Sequence, residues 1–155
     1  MTTRYKGTKS EIVALDAFIK LLRCANSAGQ SALKAIQAAN LTETQFGVLE
    51  ALHHLGPMTQ SKLAEKLLKS GGNITLVIEN LVRQQLVYKQ RGEDRRCYLI
   101  ELTDKGKKLI ADIFPGHVQN ISAFFSVLSY DDQIKLADLC KKLGKQISNK
   151  SGGIT

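Results

Sequence analysis

The sequence predicts a mainly α fold interrupted by one β-hairpin. Three observations carry that prediction. Apolar residues recur at three- and four-residue steps over most of the 155 positions, the spacing of a helical face. Between Leu86 and Leu102 the pattern changes to two β-prone runs around Gly92-Glu93-Asp94. Hydrophobic residues make up 43% and charged residues 23%, the balance of a folded globular chain rather than a disordered one.

The elements follow in order. From about Ser10 to Ala39, Ile12, Leu15, Ile19, Leu22, Leu33 and Ile36 form one apolar stripe, widened by Phe18 and Leu21 and stopped at Asn40. Thr42 with Gln45 has the capping-box form, a hydroxyl and an amide that satisfy each other's backbone N–H groups. It opens a helix carrying Phe46, Leu49, Leu52 and Leu55, which Gly56-Pro57 ends because proline lacks the N–H a helix needs. A short helix over Gln60 to Leu68 turns Leu63, Ala64 and Leu67 inward and is broken at Gly71-Gly72. The next helix starts within residues 70–73 and sets Ile74, Val77, Ile78 and Leu81 against a polar face of Asn73, Thr75, Glu79, Asn80, Arg83 and Gln84. The hairpin pairs residues 86–91 with 97–102. Thr103-Asp104 then caps a helical stretch with Leu109, Ile110, Ile113, Val118, Ile121, Phe124, Phe125 and Leu128, in which Pro115-Gly116 predicts a kink or a split. Ser129 with Asp132 caps a last helix carrying Ile134, Leu136, Leu139, Leu143 and Ile147.

Charge is unevenly placed. The chain holds 22 Lys+Arg against 14 Asp+Glu, a net +8 (22 − 14), of which residues 57–108 hold 11 against 6, a net +5 (11 − 6). A basic centre between near-neutral flanks is the footprint of a polyanion-binding module. Two short helices joined by a tight turn within that centre have the helix-turn-helix pattern, whose second helix enters the major groove of DNA. Residues 57–108 are therefore read as a winged helix-turn-helix module, 10–56 and 109–147 as dimerisation and scaffold helices, and 1–9 and 148–155 as flexible tails. No apolar stretch reaches membrane-spanning length, the first twelve residues have no signal-peptide core, and three widely spaced cysteines suit a reduced cytoplasmic setting. Nucleophile-elbow, P-loop and zinc-protease motifs are absent, which points away from an enzyme, and no cofactor motif occurs.

Asp94-Arg95-Arg96-Cys97-Tyr98-Leu99-Ile100-Glu101-Leu102-Thr103-Asp104-Lys105-Gly106 resembles the wing motif D-x-R-x-x-x-[IV]-x-L-T-x-x-G of the multiple-antibiotic-resistance regulator (MarR) family, matching at Asp94, Arg96, Ile100, Leu102, Thr103 and Gly106. The element order agrees over roughly residues 10–147. Two positions depart from many members: Gln85 stands where a glycine precedes the wing, and Asn80 where the recognition helix carries an arginine. The resemblance implies a homodimeric transcriptional regulator, a repressor reading a pseudo-palindromic double-stranded DNA operator. It also implies a crevice for a small aromatic or anionic effector, with Phe18, Phe46 and Leu109 as candidate lining residues.

The DNA-contacting set follows from residue chemistry. Ser70, Gly71 and Gly72 offer backbone N–H groups to a phosphate at a helix start. Asn73 and Thr75 reach base edges, Asn pairing with adenine, while Ser61 and Lys62 suit phosphates. Ser70 and Asn73 equally suit simple helix capping. In the wing, Arg95 is the first choice for a minor-groove or phosphate contact, flanked by Arg91 and Arg96. The resemblance implies that Asp94 pairs with Arg96 to shape the tip. Alternatives on the same scaffold are a redox-responsive or metal-responsive regulator, or a protein-interaction module without DNA binding. Cys24 is expected to be a buried structural thiol, Cys97 and Cys140 to fall on core positions, and Glu50, His53, His54 and His117 to be ordinary side chains rather than metal ligands.

Overall fold

A computed structural model describes residues 4–91 and 98–151, with side chains described as far as residue 145. The order is α1 (Lys9–Ala38), α2 (Glu43–Leu55), β1 (Met58–Thr59), α3 (Gln60–Lys66), α4 (Gly71–Arg83), β2 (Val87–Arg91), β3 (Tyr98–Leu102), α5 (Asp104–Phe125) and α6 (Tyr130–Ser151). The strands form an antiparallel sheet in the order β1-β3-β2, with Val87 opposite Leu102 and Met58 opposite Ile100.

Local chemistry sets most boundaries. The Thr42–Gln45 capping box forms, and a second one, Thr8 with Glu11, starts α1 one residue before the expected Ser10. Accepting bonds from the Thr8 backbone and hydroxyl holds the Glu11 carboxyl below its ordinary value. Ser129 and Asp132 bond reciprocally at the head of α6, as expected. Asn40, with φ 56°, ends α1, and Gly56, with φ 77°, ends α2.

The end of α4 explains the unusual Gln85. Its N–H bonds the Val82 carbonyl at 2.9 Å and the next N–H, of Leu86, bonds the Leu81 carbonyl at 2.9 Å, which is the Schellman stop that requires a left-handed residue. Gln85 is that residue, with φ 59°. A glycine adopts this conformation without the Cβ penalty. Gln85→Gly is expected to raise stability by about 0.5–1 kcal/mol, read as a higher urea midpoint at unchanged slope.

Three expectations are corrected. β1 was absent from the sequence reading, because two residues after a Gly-Pro break carry no period and become a strand only by pairing with β3. Of the kink or split expected at Pro115 the split is excluded, since α5 runs unbroken to Phe125. Packing on α1 holds it there: the Ser31 hydroxyl donates to the Asn120 carbonyl at 3.3 Å, and Ala35 lies 3.8 Å from where a Gly116 Cβ would stand. The last helix extends to Ser151, past Ile147 and into the segment expected to be a frayed tail.

The core gathers at the centre. Ile36 of α1, Leu41, Phe46, Val48, Leu49 and Leu52 of α2, Leu63 of α3, Ile74, Ile78 and Leu81 of α4, Ile100 and Leu102 of β3, and Ile110 and Ile113 of α5 are all buried together. The two ends of the chain differ. In α1 only Ile36 is buried, while Val13, Phe18, Leu21 and Leu22 are exposed. In α6, Ile134, Leu139 and Leu143 are exposed. Of the predicted α1 stripe the core therefore takes in Ile36 and the adjoining Leu33, while Leu22 of that stripe and Ile134, Leu139 and Leu143 of the α6 stripe stay exposed.

Candidate nucleic-acid interface

The helix-turn-helix is built so that α4 presents one face and anchors the other. Ile74, Ile78 and Leu81 are fully buried, which fixes the rotation of the helix. Gln60, the first residue of α3, donates to the Thr75 hydroxyl, and that hydroxyl donates to the Gly71 carbonyl at 2.9 Å. The start of α3 is thereby tied to the first turn of α4. At the other end, Lys105 donates to the Gln84 carbonyl at 2.9 Å, completing the C-terminus of α4 with a cation.

The motif residues of the wing have identifiable work. The Thr103 hydroxyl donates to the Gln85 carbonyl at 2.7 Å and accepts the Gly106 N–H at 3.0 Å, so one side chain joins the end of α4 to the start of α5. Gly106 lets the two segments approach: a Cβ there would overlap the Leu86 carbonyl oxygen and lie 3.0 Å from its carbon. Ile100 and Leu102 face the core from β3.

Around this frame lie the candidate contacts. Ser61 and Lys62 are exposed at the head of α3. Ser70 stands at the N-cap of α4, but its side chain makes no capping hydrogen bond. Capping is therefore not what occupies the Ser70 hydroxyl. Gly71 and Gly72 are exposed with open space where a Cβ would be, and Asn73 is exposed beside them. Thr75 is half-buried and its hydroxyl is engaged, a geometry the residue pattern did not reveal. Arg83 donates to the Asn80 side-chain oxygen at 2.5 Å. Arg91 is exposed at the end of β2, opposite Tyr98. Lys89 is exposed on the same strand. Across the hairpin a hydrogen bond to the Glu101 carboxylate holds the Tyr88 hydroxyl above its ordinary value. Asp94, Arg95, Arg96 and Cys97 lie outside the described residues.

Sequence reasoning missed Leu76. It is 56% exposed, between Asn73 and Asn80 on the outward stripe of α4. The signal was present, since an apolar residue stood off the buried stripe of Ile74, Ile78 and Leu81.

The three candidate pocket residues do not gather in one cavity of the chain. Phe46 and His117 line a cavity of about 290 Å³ with Ala32, Ile36, Glu50 and Lys69. Leu109 lines a separate one with Leu41, Gln84 and Lys105, and Phe18 is 60% exposed on the uncovered part of α1. Helical spacing marks an apolar face but not the element opposite it. Within the first cavity the His117 ring lies 4.5 Å from that of Phe46, and its Nδ1 lies 3.2 Å from the Ala32 carbonyl.

The cysteine expectations also change. Cys24 and Cys140 are exposed free thiols, because each sits on a helix segment that the rest of the chain leaves uncovered. His54 lies edge-on to Phe114 at 4.8 Å while His117 turns to α1 and α2, and among the described residues no group of three His, Cys, Asp or Glu is placed to hold a metal. Nor is any described helix long and apolar enough to cross a membrane.

Comparison with known proteins agrees with this geometry. A family model described as the MarR family matches residues 41–98. The HTH-type transcriptional regulator MhqR of Bacillus subtilis (strain 168) is 34% identical over 141 residues, covering 88% of this chain and 97% of the relative. AbsC, a MarR family transcriptional regulator from Streptomyces coelicolor, superposes with a TM-score of 0.82 at 23% identity, over 95% of this chain and 99% of that one. BpsR of Bordetella bronchiseptica, whose DNA binding is regulated by 6-hydroxynicotinic acid, superposes with a TM-score of 0.76 at 24% identity, over 90% and 98% of the two chains. With its helix-turn-helix, its wing motif and a relative matched along nearly its whole length, this chain belongs to the MarR family of DNA-binding transcriptional regulators, not to an enzyme family.

Proposed function

We propose that the protein is a homodimeric, cytoplasmic repressor that grips a pseudo-palindromic operator with two winged modules and is released by a small effector. The observation that carries the reading is the unequal covering of the chain. The winged module has a complete core of its own with α1, α2 and α5, whereas Phe18, Leu21 and Leu22 of α1 and Ile134, Leu139 and Leu143 of α6 stay exposed. A second copy that covers those stripes sets two recognition helices at a fixed spacing, which is how a dimer reads two half-sites about one helical turn apart.

In each module Ser61, Lys62, Ser70, Gly71 and Gly72 hold phosphates, Asn73 and Thr75 face base edges, and Arg91, Arg95 and Arg96 serve the wing with Asp94 orienting Arg96. A carboxylate that fixes a guanidinium fork lowers the cost of inserting it into a groove. The effector occupies the cavity beside Phe46 and His117, whose wall includes Leu67 and Lys69 at the turn leading into α4. A ligand there acts by binding one arrangement of the recognition helices better than another. A small aromatic molecule suits the Phe46 and His117 rings, in keeping with the hydroxynicotinic acid that regulates BpsR.

The test is a salt titration of DNA binding by wild type and Arg95→Ala. The variant is expected to bind all sequences more weakly and to lower the slope of log affinity against log salt by about one unit. An unchanged slope would remove Arg95 from the phosphate-contacting set.

A further inference from the structure

We propose that α4 reads A·T base pairs through thymine 5-methyl groups, with Thr75 and Leu76 as the contacting residues and Gln60 as the residue that positions Thr75. The inference rests on the reading of α4 as the recognition helix and adds which bases it selects and by what chemistry.

The first strand of the argument is what Thr75 has left to offer. Its hydroxyl proton goes to the Gly71 carbonyl at 2.9 Å, and its oxygen accepts the Gln60 side-chain N–H. The hydroxyl has no second proton to give to a base. The other group this half-buried residue brings to α4 is its methyl, which in threonine makes apolar contact with the thymine methyl in the major groove.

Leu76 is the second strand. It is the residue after Thr75, it is 56% exposed, and it lies on one stripe with Asn73 and Asn80 at three- and four-residue spacing. An exposed leucine at the centre of a groove-facing stripe has one apolar feature to meet on a base edge, the thymine 5-methyl.

The third strand is an absence among the described residues of the helix itself. Guanine is most often read by a bidentate Arg or Lys, and α4 has one cation, Arg83, in its last turn. That guanidinium is held by the Asn80 side chain at 2.5 Å. Glu79, the one acidic residue of α4, lines the cleft towards the wing with Val82, Arg83 and Lys89 rather than the leading turns. The leading turns, which contact bases in this mode of docking, thus present Asn73 for adenine and two apolar groups for thymine.

The experiment uses the full-length chain. Wild type first selects sites from a random duplex library, and each thymine of the selected half-site is then replaced by deoxyuridine, which deletes the 5-methyl and leaves base pairing intact. Affinity is expected to fall about threefold to fivefold at one or two positions, the worth of one buried methyl group. Leu76→Ala should erase the thymine–uracil difference at one of them. Thr75→Ser, which keeps the hydroxyl bonds and loses the methyl, should erase it at the other. Gln60→Ala should erase it at the Thr75 position while sparing the Leu76 position, a pattern that a general loss of folding does not produce. Sequence-specific binding with thymine and deoxyuridine equivalent at every position would overturn this proposal alone. Failure to select any sequence would overturn the recognition-helix reading together with it.

Discussion

Gly106→Ala is expected to destabilise the protein by about 2–4 kcal/mol, seen as a fall in thermal midpoint on the order of 5–15 °C. Propensity alone argues the opposite, because alanine in a helix is worth up to about 1 kcal/mol more than glycine. Position 106 lies in the first turn of α5, and a Cβ there would overlap the Leu86 carbonyl oxygen. That carbonyl cannot yield cheaply. It accepts the Thr103 N–H at 3.1 Å, and its neighbours Gln84 and Gln85 accept from Lys105 and Thr103. Moving the strand loosens three hydrogen bonds and the seat of Leu102 together. Gly72→Ala is the control, since nothing lies within 4 Å of its added Cβ, and it should be neutral or stabilising by up to about 1 kcal/mol. Equal behaviour of the two variants would show that the close approach at Gly106 has no energetic weight.

Replacing Leu139 and Leu143 together by aspartate should convert the proposed dimer to a monomer near the chain mass of 17.1 kDa. Both leucines are exposed on α6, so the substitutions leave the core of the winged module intact and its helical signal should persist. Operator affinity should nevertheless drop about 100- to 10,000-fold, because each half-site is then bound without the effective concentration supplied by its twin. Light scattering and a binding isotherm report the two effects separately. A variant that remains dimeric would exclude this face of α6 from the interface.

Much of the fold was legible because its signals are local. A hydroxyl and an acceptor three residues apart announce a helix start, and Thr42–Gln45 and Ser129–Asp132 do so here. The same signal stands at Thr8–Glu11, directly before the apolar Ile12, and starts α1. Gly56-Pro57 ended α2, yet Pro115 did not end α5. The difference lies outside both segments, in the α1 surface that holds α5 in place. β1 was illegible for a related reason, since its only strand-like property is the edge of β3.

The site divides along the same line. The wing motif was readable as a spacing, and the structure supplies the mechanical reasons for Thr103 and Gly106. Exposure of Cys24 ran against expectation, because a helical period shows that a face is apolar without showing what covers it.

By itself the sequence determined the order of the helices and the hairpin, the basic charge of the central module and the wing motif that marks the family, all properties of residues near one another in the chain. The tertiary structure alone decided that Thr75 commits its hydroxyl to Gln60 and Gly71, that Leu76 faces outward, and that α6 keeps Leu139 and Leu143 exposed. Those outcomes depend on which distant surface arrives opposite each side chain, and that pairing is set by packing of the whole core rather than by any local spacing.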